Sequence, residues 1–253
     1  MSDIPSIRLL GIRISVVDVD GVLREMDDLV ARPACSLVNN VNIHACNLAV
    51  EQPGFRQILN ESALVFCDGY GVKLGARLKG LRLGPRMTPP DWVDRLFTRG
   101  VERGWAFFFV GDEAAVVEAF AARVRERHAG LKVAGAHHGF FRDGGAEDAA
   151  LRARILAARP DVILTGMGMP RQEYWADGVR RRLDHGVIVA TGALFRWYTG
   201  TERRAPRWMS AHGLEWLYRL MIRPLRHFRR YVIGIPKFFW RVLRDRGPGR
   251  GGD

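Results

Sequence analysis

Ser62-Ala63-Leu64-Val65-Phe66-Cys67-Asp68-Gly69-Tyr70-Gly71 is the stretch from which the fold can be read. Five apolar residues, 63–67, run without a break and stop at a carboxylate followed by two glycines. A continuous apolar run this short reads as a strand covered on both faces, as in a parallel sheet. The glycines allow a tight turn, and residues 72–78 continue as helix. Asp68 then sits at the carboxyl end of a buried strand, where open α/β sheets hold their ligands. Aspartate also caps helices well, and these ten residues alone favour that plainer role.

The same pattern recurs on both sides. Strands are expected at 36–41, 104–111, 131–136, 161–165 and 187–191. Helices are expected at about 43–60, 112–127 and 146–158, and another starts near Asp91 or Trp92 after the proline-bounded loop 81–91. The helix at 43–60 should bury Leu48, Phe55, Ile58 and Leu59. Residues 7–19 alternate in polarity, and a short helix at 21–31 is expected to be capped by Asp20. Strand–helix alternation over nearly 190 residues predicts an α/β fold, a mostly parallel sheet with helices on both faces.

The chain has 253 residues, 47% of them apolar, which suits a large core rather than disorder. Cys35, Cys46 and Cys67 have no metal-ligand spacing and read as reduced core residues. No basic region leads into an apolar core at the start, so no signal peptide is expected. The longest apolar runs fall short of the ~18 residues of a spanning helix.

Charge divides the chain. Of the net charge of +12, residues 203–246 carry twelve arginines or lysines against two acids, Glu215 and Asp245. Trp216, Leu217, Leu220 and Met221 share a helical face there. After Pro224, Ile235, Phe238, Phe239, Trp240 and Leu243 recur beside Lys237, Arg241 and Arg244. A basic amphipathic segment carrying tryptophan and phenylalanine suits the surface of a membrane. Three regions are expected: a body over 1–200, a basic helical appendage over 201–246 and a disordered tail over 247–253.

Four tempting readings are weak. Asp18-Val19-Asp20-Gly21 follows an alternating segment and could hold a metal under a nucleotide sugar, or serve as a phosphatase nucleophile motif. The phosphatase reading needs a downstream lysine, and none of Lys73, Lys79, Lys132 and Lys237 is well placed; the single Asp112 is slender support for its late acidic pair, and helix capping is favoured over both readings. His137-His138 could ligate a metal, but adjacent strand residues point to opposite faces. A polyanion or nucleic-acid binder using the basic tail would bind in a salt-sensitive way, yet the body carries no nucleic-acid-binding pattern.

Several motifs taken together resemble the WecG/TagA/CpsF glycosyltransferases, glycosyltransferase family 26. They are Asp68-Gly69-Tyr70-Gly71, Gly168-Met169-Pro170-Arg171-Gln172-Glu173, Arg204-Ala205-Pro206-Arg207-Trp208 and Gly213-Leu214-Glu215-Trp216-Leu217-Tyr218-Arg219, followed by Pro224-Leu225-Arg226. Their order and spacing are family-like over about residues 8–232. The resemblance implies a Rossmann-like α/β catalytic domain and an appendage that completes the site at the membrane. It also implies inverting transfer from a UDP-sugar to an undecaprenyl-diphosphate-linked saccharide, on the inner face of the cell membrane, in cell-surface polysaccharide synthesis.

By that resemblance Asp68 is the base that takes the acceptor hydroxyl proton. Asn40, Asn42, Arg86, Gly168, Gln172, Thr191 and Gly192 contact substrate, and Arg219, Arg226 and Arg229 hold the diphosphate. Neither a metal nor another cofactor is implied, and no nucleic-acid partner. Three departures stand out: Asn40 where the family often has threonine, Arg86-Met87-Thr88-Pro89-Pro90-Asp91 where a glycine is usual, and Phe195-Arg196 in place of Phe-Asp. Together they imply a sugar specificity different from that of the teichoic acid enzymes.

Overall fold

The computed structural model describes residues 4–245 and 247, without the side chains of Arg207, Ala211 and Arg226. The tail expected to be disordered therefore lies, from residue 248 onward, outside the described residues.

The chain opens with a hairpin, β1 (Ser6–Leu9) and β2 (Ile12–Ser15), and then α1 (Val19–Val30). The body continues through β3 (Ser36–Val41), α2 (Ile43–Glu51), α3 (Pro53–Glu61), β4 (Leu64–Cys67), α4 (Tyr70–Leu78), α5 (Pro89–Arg103), β5 (Ala106–Gly111) and α6 (Ala114–Arg127). It closes with β6 (Lys132–His137), α7 (Ala146–Ala158), β7 (Val162–Gly166), α8 (Arg171–Arg180), β8 (Val187–Ala190) and α9 (Leu194–Thr199). The appendage is α10 (Arg207–Ala211), α11 (Glu215–Ile222), α12 (Pro224–Phe228), a π-helical turn (Arg229–Ile233) and α13 (Gly234–Arg244).

Six strands form one sheet in the order β4-β3-β8-β7-β5-β6, and every neighbouring pair is parallel. Its two faces show the period of a buried strand. Phe107, Phe109, Val162, Leu164, Val187 and Val189 face the core under α1, α5, α6 and α9. The alternate residues Phe108, Val110, Ile163 and Ile188 face α7 and α8. The expected α/β architecture is therefore present, with helices on both sides.

Local corrections have identifiable causes. The alternating segment 7–19 is a separate antiparallel hairpin, because Leu10 and Gly11 both take positive φ (52° and 77°), the signature of a tight primed turn. Asp18, not Asp20, caps α1, its Oδ1 accepting from the Gly21 N–H at 2.8 Å. Asp20 instead pairs with Arg95. The helix expected over 43–60 is two helices, since Gln52 leaves helical geometry (φ −127°, ψ 95°) and Pro53 starts the second. Phe55, Ile58 and Leu59 are buried as expected, while Leu48 is only partly so. His137 ends β6 and His138 lies beyond the pleat, so the two rings stand together, centroids 4.5 Å apart, rather than on opposite faces.

The appendage ends inside the body. Phe238 and Val242 of α13 are fully buried in a core shared with Val41, Cys67, Val72 and Ala76. The approach is close because Gly75 has no side chain: a Cβ there would lie 2.6 Å from the Phe238 ring. Asn47 reinforces it, donating to the Gly234 carbonyl at 2.8 Å and accepting from Arg241 at 3.0 Å. By contrast α11 buries no residue completely. Leu225, Met221, Phe228, Trp208, Trp240 and Leu243 all present apolar surface to solvent.

Candidate active site

Asp68 follows β4, and its N–H extends the parallel ladder to the Val41 carbonyl at 2.8 Å. Gly69 comes next at φ 137°, a region that side-chain-bearing residues rarely adopt. Gly69 is also the residue in the cap position of α4, which has no side-chain cap. Asp68 is thus not a helix cap. Its Oδ1 accepts from the Thr88 hydroxyl at 3.0 Å. Thr88 occupies the cap position of α5 without capping it, because its hydroxyl is committed to Asp68.

From Thr88 a chain of polar contacts runs into the appendage. Arg86 Nη1 donates to Thr88 Oγ1 at 3.0 Å and to Glu215 Oε2 at 3.4 Å, and Arg86 Nη2 reaches Asp91 at 3.1 Å. Arg219 donates to the other oxygen of Glu215 at 3.1 Å, and its guanidinium lies 4.4 Å from the centre of the Trp197 ring. Arg204 holds Asp91 at 2.7 Å. Asp68, Thr88, Arg86, Glu215, Arg219 and Trp197 wall a cavity of about 530 Å³ between the carboxyl ends of β3 and β4 and the appendage. Asn42 also lines it, capping α2 by accepting from the His44 and Ala45 N–H groups at 3.0 and 3.1 Å. That leaves the Asn42 amide nitrogen as its remaining donor.

The electrostatics follow from the enclosure. Burial pushes the Asp68 carboxyl above the usual range; the Thr88 bond opposes this, Glu215 adds to it, and Arg219 and Arg86 oppose it more weakly. His44, at the cavity wall, is pushed down to about 4 by burial and by Arg230, against Glu51, so its imidazole is neutral. The three thiols are buried and raised by that burial, Cys35 and Cys67 to about 12.

The remaining expected site residues divide. Gly168, Gln172, Thr191 and Gly192 lie along the same carboxyl edge of the sheet, at β7 and β8, and not among the residues lining the Asp68 cavity. Gly168 and Gly192 face open space, with no atom within 4 Å of a Cβ built on either. Gln172 is buried, accepting from the Gly168 N–H at 3.2 Å and donating to Glu173 at 2.8 Å. Burial raises the Glu173 carboxyl to about 7, against the Gln172 bond, and its Oε2 has no partner. Thr191 donates to the Thr165 carbonyl at 2.9 Å, and buried Asn40 donates to the Ala190 carbonyl at 2.8 Å, tying β3 to β8.

Arg229 is exposed, whereas the neighbouring Arg230 lines the cavity. The side chain of Arg226 lies outside the described residues. Arg196 grips Asp112 with two nitrogens, at 2.8 and 2.7 Å. Sequence reasoning gave no role to Thr88, Glu215, Trp197 or Arg230. The one signal for Thr88 was its place before Pro89 at the head of a helix, which reads as an ordinary cap.

The family described as "Glycosyl transferase WecG/TagA/CpsF family" matches residues 7–251. Similar proteins include the N-acetylglucosaminyldiphosphoundecaprenol N-acetyl-beta-D-mannosaminyltransferase of Bacillus subtilis, 28% identical over 211 residues, covering 83% of this chain and 80% of that one. The protein of the same name from Staphylococcus aureus is 28% identical over 204 residues, covering 80% and 78%.

Proposed function

Because the chain belongs to the WecG/TagA/CpsF family of glycosyl transferases, we propose that it is an inverting hexosyltransferase. In this reading it moves a sugar such as N-acetylmannosamine, its uronate or a hexose from a UDP-sugar to a polyprenyl-diphosphate-linked saccharide. The names of the similar proteins, which specify an undecaprenol-linked acceptor, support the lipid-linked substrate. The observation that carries the proposal is Asp68, a carboxylate raised by burial at the wall of a cavity of about 530 Å³ and joined through Thr88 and Arg86 to Glu215.

Asp68 takes the acceptor hydroxyl proton as that oxygen attacks the anomeric carbon, and the bond to the UDP oxygen breaks on the opposite face. A base raised toward the working pH suits this step. The electron pair leaves on the diphosphate, whose growing charge needs compensation. Arg219 and Arg230 wall the same cavity, and guanidinium groups pair well with phosphate oxygens. That gives leaving-group stabilisation without a metal in the reacting site. Arg229 lies further along the same appendage and is exposed, adding to its positive charge.

No helix among the described residues is long and apolar enough to cross a membrane. The exposed Leu225, Phe228, Ile233, Trp240 and Leu243, beside many arginines, suit instead a peripheral position on an anionic inner leaflet. Such docking brings the cavity mouth to the lipid-linked acceptor.

The deciding experiment is UDP release from a panel of UDP-sugars, with a short-chain polyprenyl-diphospho-sugar acceptor and EDTA present. Release that requires the acceptor is expected. Its absence with every donor and acceptor pair tried, from a protein that melts cooperatively, would count against the proposal. Thr88 offers a finer check. Thr88→Val removes the bond that opposes the raised Asp68 carboxyl, so turnover at pH 7 should fall on the order of tenfold and recover as the pH rises. Thr88→Ser should restore the wild-type profile, and a Thr88→Val profile identical to wild type would remove Thr88 from the mechanism.

A further inference from the structure

At the edge of the sheet away from Asp68, His137 and His138 converge on Glu147 in the first turn of α7. The strand order puts β4 and β6 at opposite edges, five strand spacings or about 24 Å apart. We propose that His137, His138 and Glu147 form a binding site for a divalent transition-metal ion of the zinc class, which clips the loop between β6 and α7.

The distances fit such an ion. Glu147 Oε1 lies 2.9 Å from His138 Nε2 and 3.6 Å from His137 Nε2, and one donor atom from each residue falls within 4.8 Å of the others. Tetrahedral zinc with ligand bonds of about 2.0–2.1 Å separates its ligands by roughly 3.3 Å, between the two observed spacings. Two imidazoles and a carboxylate are also a donor set that zinc favours.

Proton bookkeeping points the same way. His137 Nδ1 lies 2.8 Å from the His138 carbonyl, an oxygen that can only accept, so Nδ1 carries the proton. Nε2 is then the nitrogen left to ligate, on the side of the ring facing the Glu147 oxygen 3.6 Å away. The Nδ1–H to carbonyl bond is the outer contact that orients metal-bound histidines. His138 Nδ1 accepts a 3.3 Å contact from the Phe140 N–H. Metal at His138 Nε2 takes the place of the Nε2–H bond to Glu147 at 2.9 Å, moves the ring proton to Nδ1 and gives up the long Phe140 contact.

The loop has a reason to be fixed. Arg171 donates to the carbonyls of Gly139 and Phe141, the latter at 2.6 Å, and pairs with Asp143 at 2.8 Å. Arg171 opens α8 immediately before Gln172. A metal at His137, His138 and Glu147 thus secures the far side of the platform on which the Gln172 turn rests. The ion sits apart from the reacting groups, so its role is structural.

The test uses the full-length, tag-free protein, stripped with EDTA and titrated with zinc alone against a chromophoric chelator. About one ion per chain is expected, with a rise in the thermal midpoint. Cobalt should give visible ligand-field bands. The double variant His137→Gln/His138→Gln, and separately Glu147→Gln, should weaken zinc binding by about tenfold or more. EDTA should lower the midpoint of wild type without changing turnover at 25 °C. Three results would overturn the site: substoichiometric zinc, unchanged affinity in both variants, or a thermal midpoint that ignores zinc. The cobalt spectrum and the wild-type midpoint do not depend on the variants folding.

Discussion

Asp68→Asn should lower turnover by about 10²–10⁴-fold while leaving a protein that folds normally and melts slightly higher at neutral pH. The sign of the stability effect follows from the raised carboxyl. Burial places the folded-state value above the unfolded one. The carboxyl therefore favours folding fully below its unfolded value, and that contribution is lost as the pH rises through the folded value. At neutral pH the ionised group opposes folding. Asparagine keeps an oxygen for the Thr88 hydroxyl and removes the charge, so the hydrogen bond at 3.0 Å has a counterpart. The same raised value sets the acid limb of kcat/KM, which should fall at a pH above the ordinary aspartate range. Thermal melting and acceptor-dependent UDP release, measured on one preparation, separate the two effects. A folded Asp68→Asn protein that keeps turnover within tenfold of wild type would remove Asp68 from the role of base.

The place of Asp68 was legible because two independent signals coincide there: an unbroken apolar run fixes the strand, and Gly69 marks the turn that only glycine makes comfortably. The surrounding polar chain was much less so. Thr88 precedes two prolines, and local rules assign its hydroxyl to its own helix; tertiary structure sends it to Asp68 instead. Glu215 lies 147 residues from Asp68 in sequence; its i,i+4 spacing to Arg219 is a local helix signal, but nothing local indicates that Arg86 shares it. In the appendage, the resemblance pointed to Arg219, Arg226 and Arg229, and residues 229–233 form a π-helical turn. A wider turn shifts the helix face, and within that turn Arg230 lines the cavity, as Arg219 does from α11. Matching motif positions gives no warning of that shift. Adjacent histidines mislead for a related reason, since the alternation rule ends where the strand does, at His137.

Phe238 and Val242 also decide how the appendage should be tested. Their burial in the body means that removing everything from about residue 203 opens the core as well as the site, and lost activity would then have two causes. Arg219 gives a cleaner probe. It lies on α11, which buries no residue completely, so its removal leaves the docking of α13 intact. Arg219→Ala is expected to lower kcat by about 10²–10³-fold, the loss typical when one stabilising donor is removed from a developing charge. KM for the donor should rise less, because the diphosphate charge grows only as the bond to the sugar breaks. Arg219→Lys should recover part of kcat, because it keeps the charge but not the fork that grips two phosphate oxygens or the stack on Trp197. Losing Arg219 also removes one influence that lowers the Asp68 carboxyl, so the acid limb should move to higher pH in the alanine variant. A purely structural arginine would instead change the melting temperature and leave the pH profile in place. An Arg219→Ala enzyme with wild-type kcat and an unmoved acid limb would exclude Arg219 from the leaving-group site and return the diphosphate to Arg230 and its neighbours.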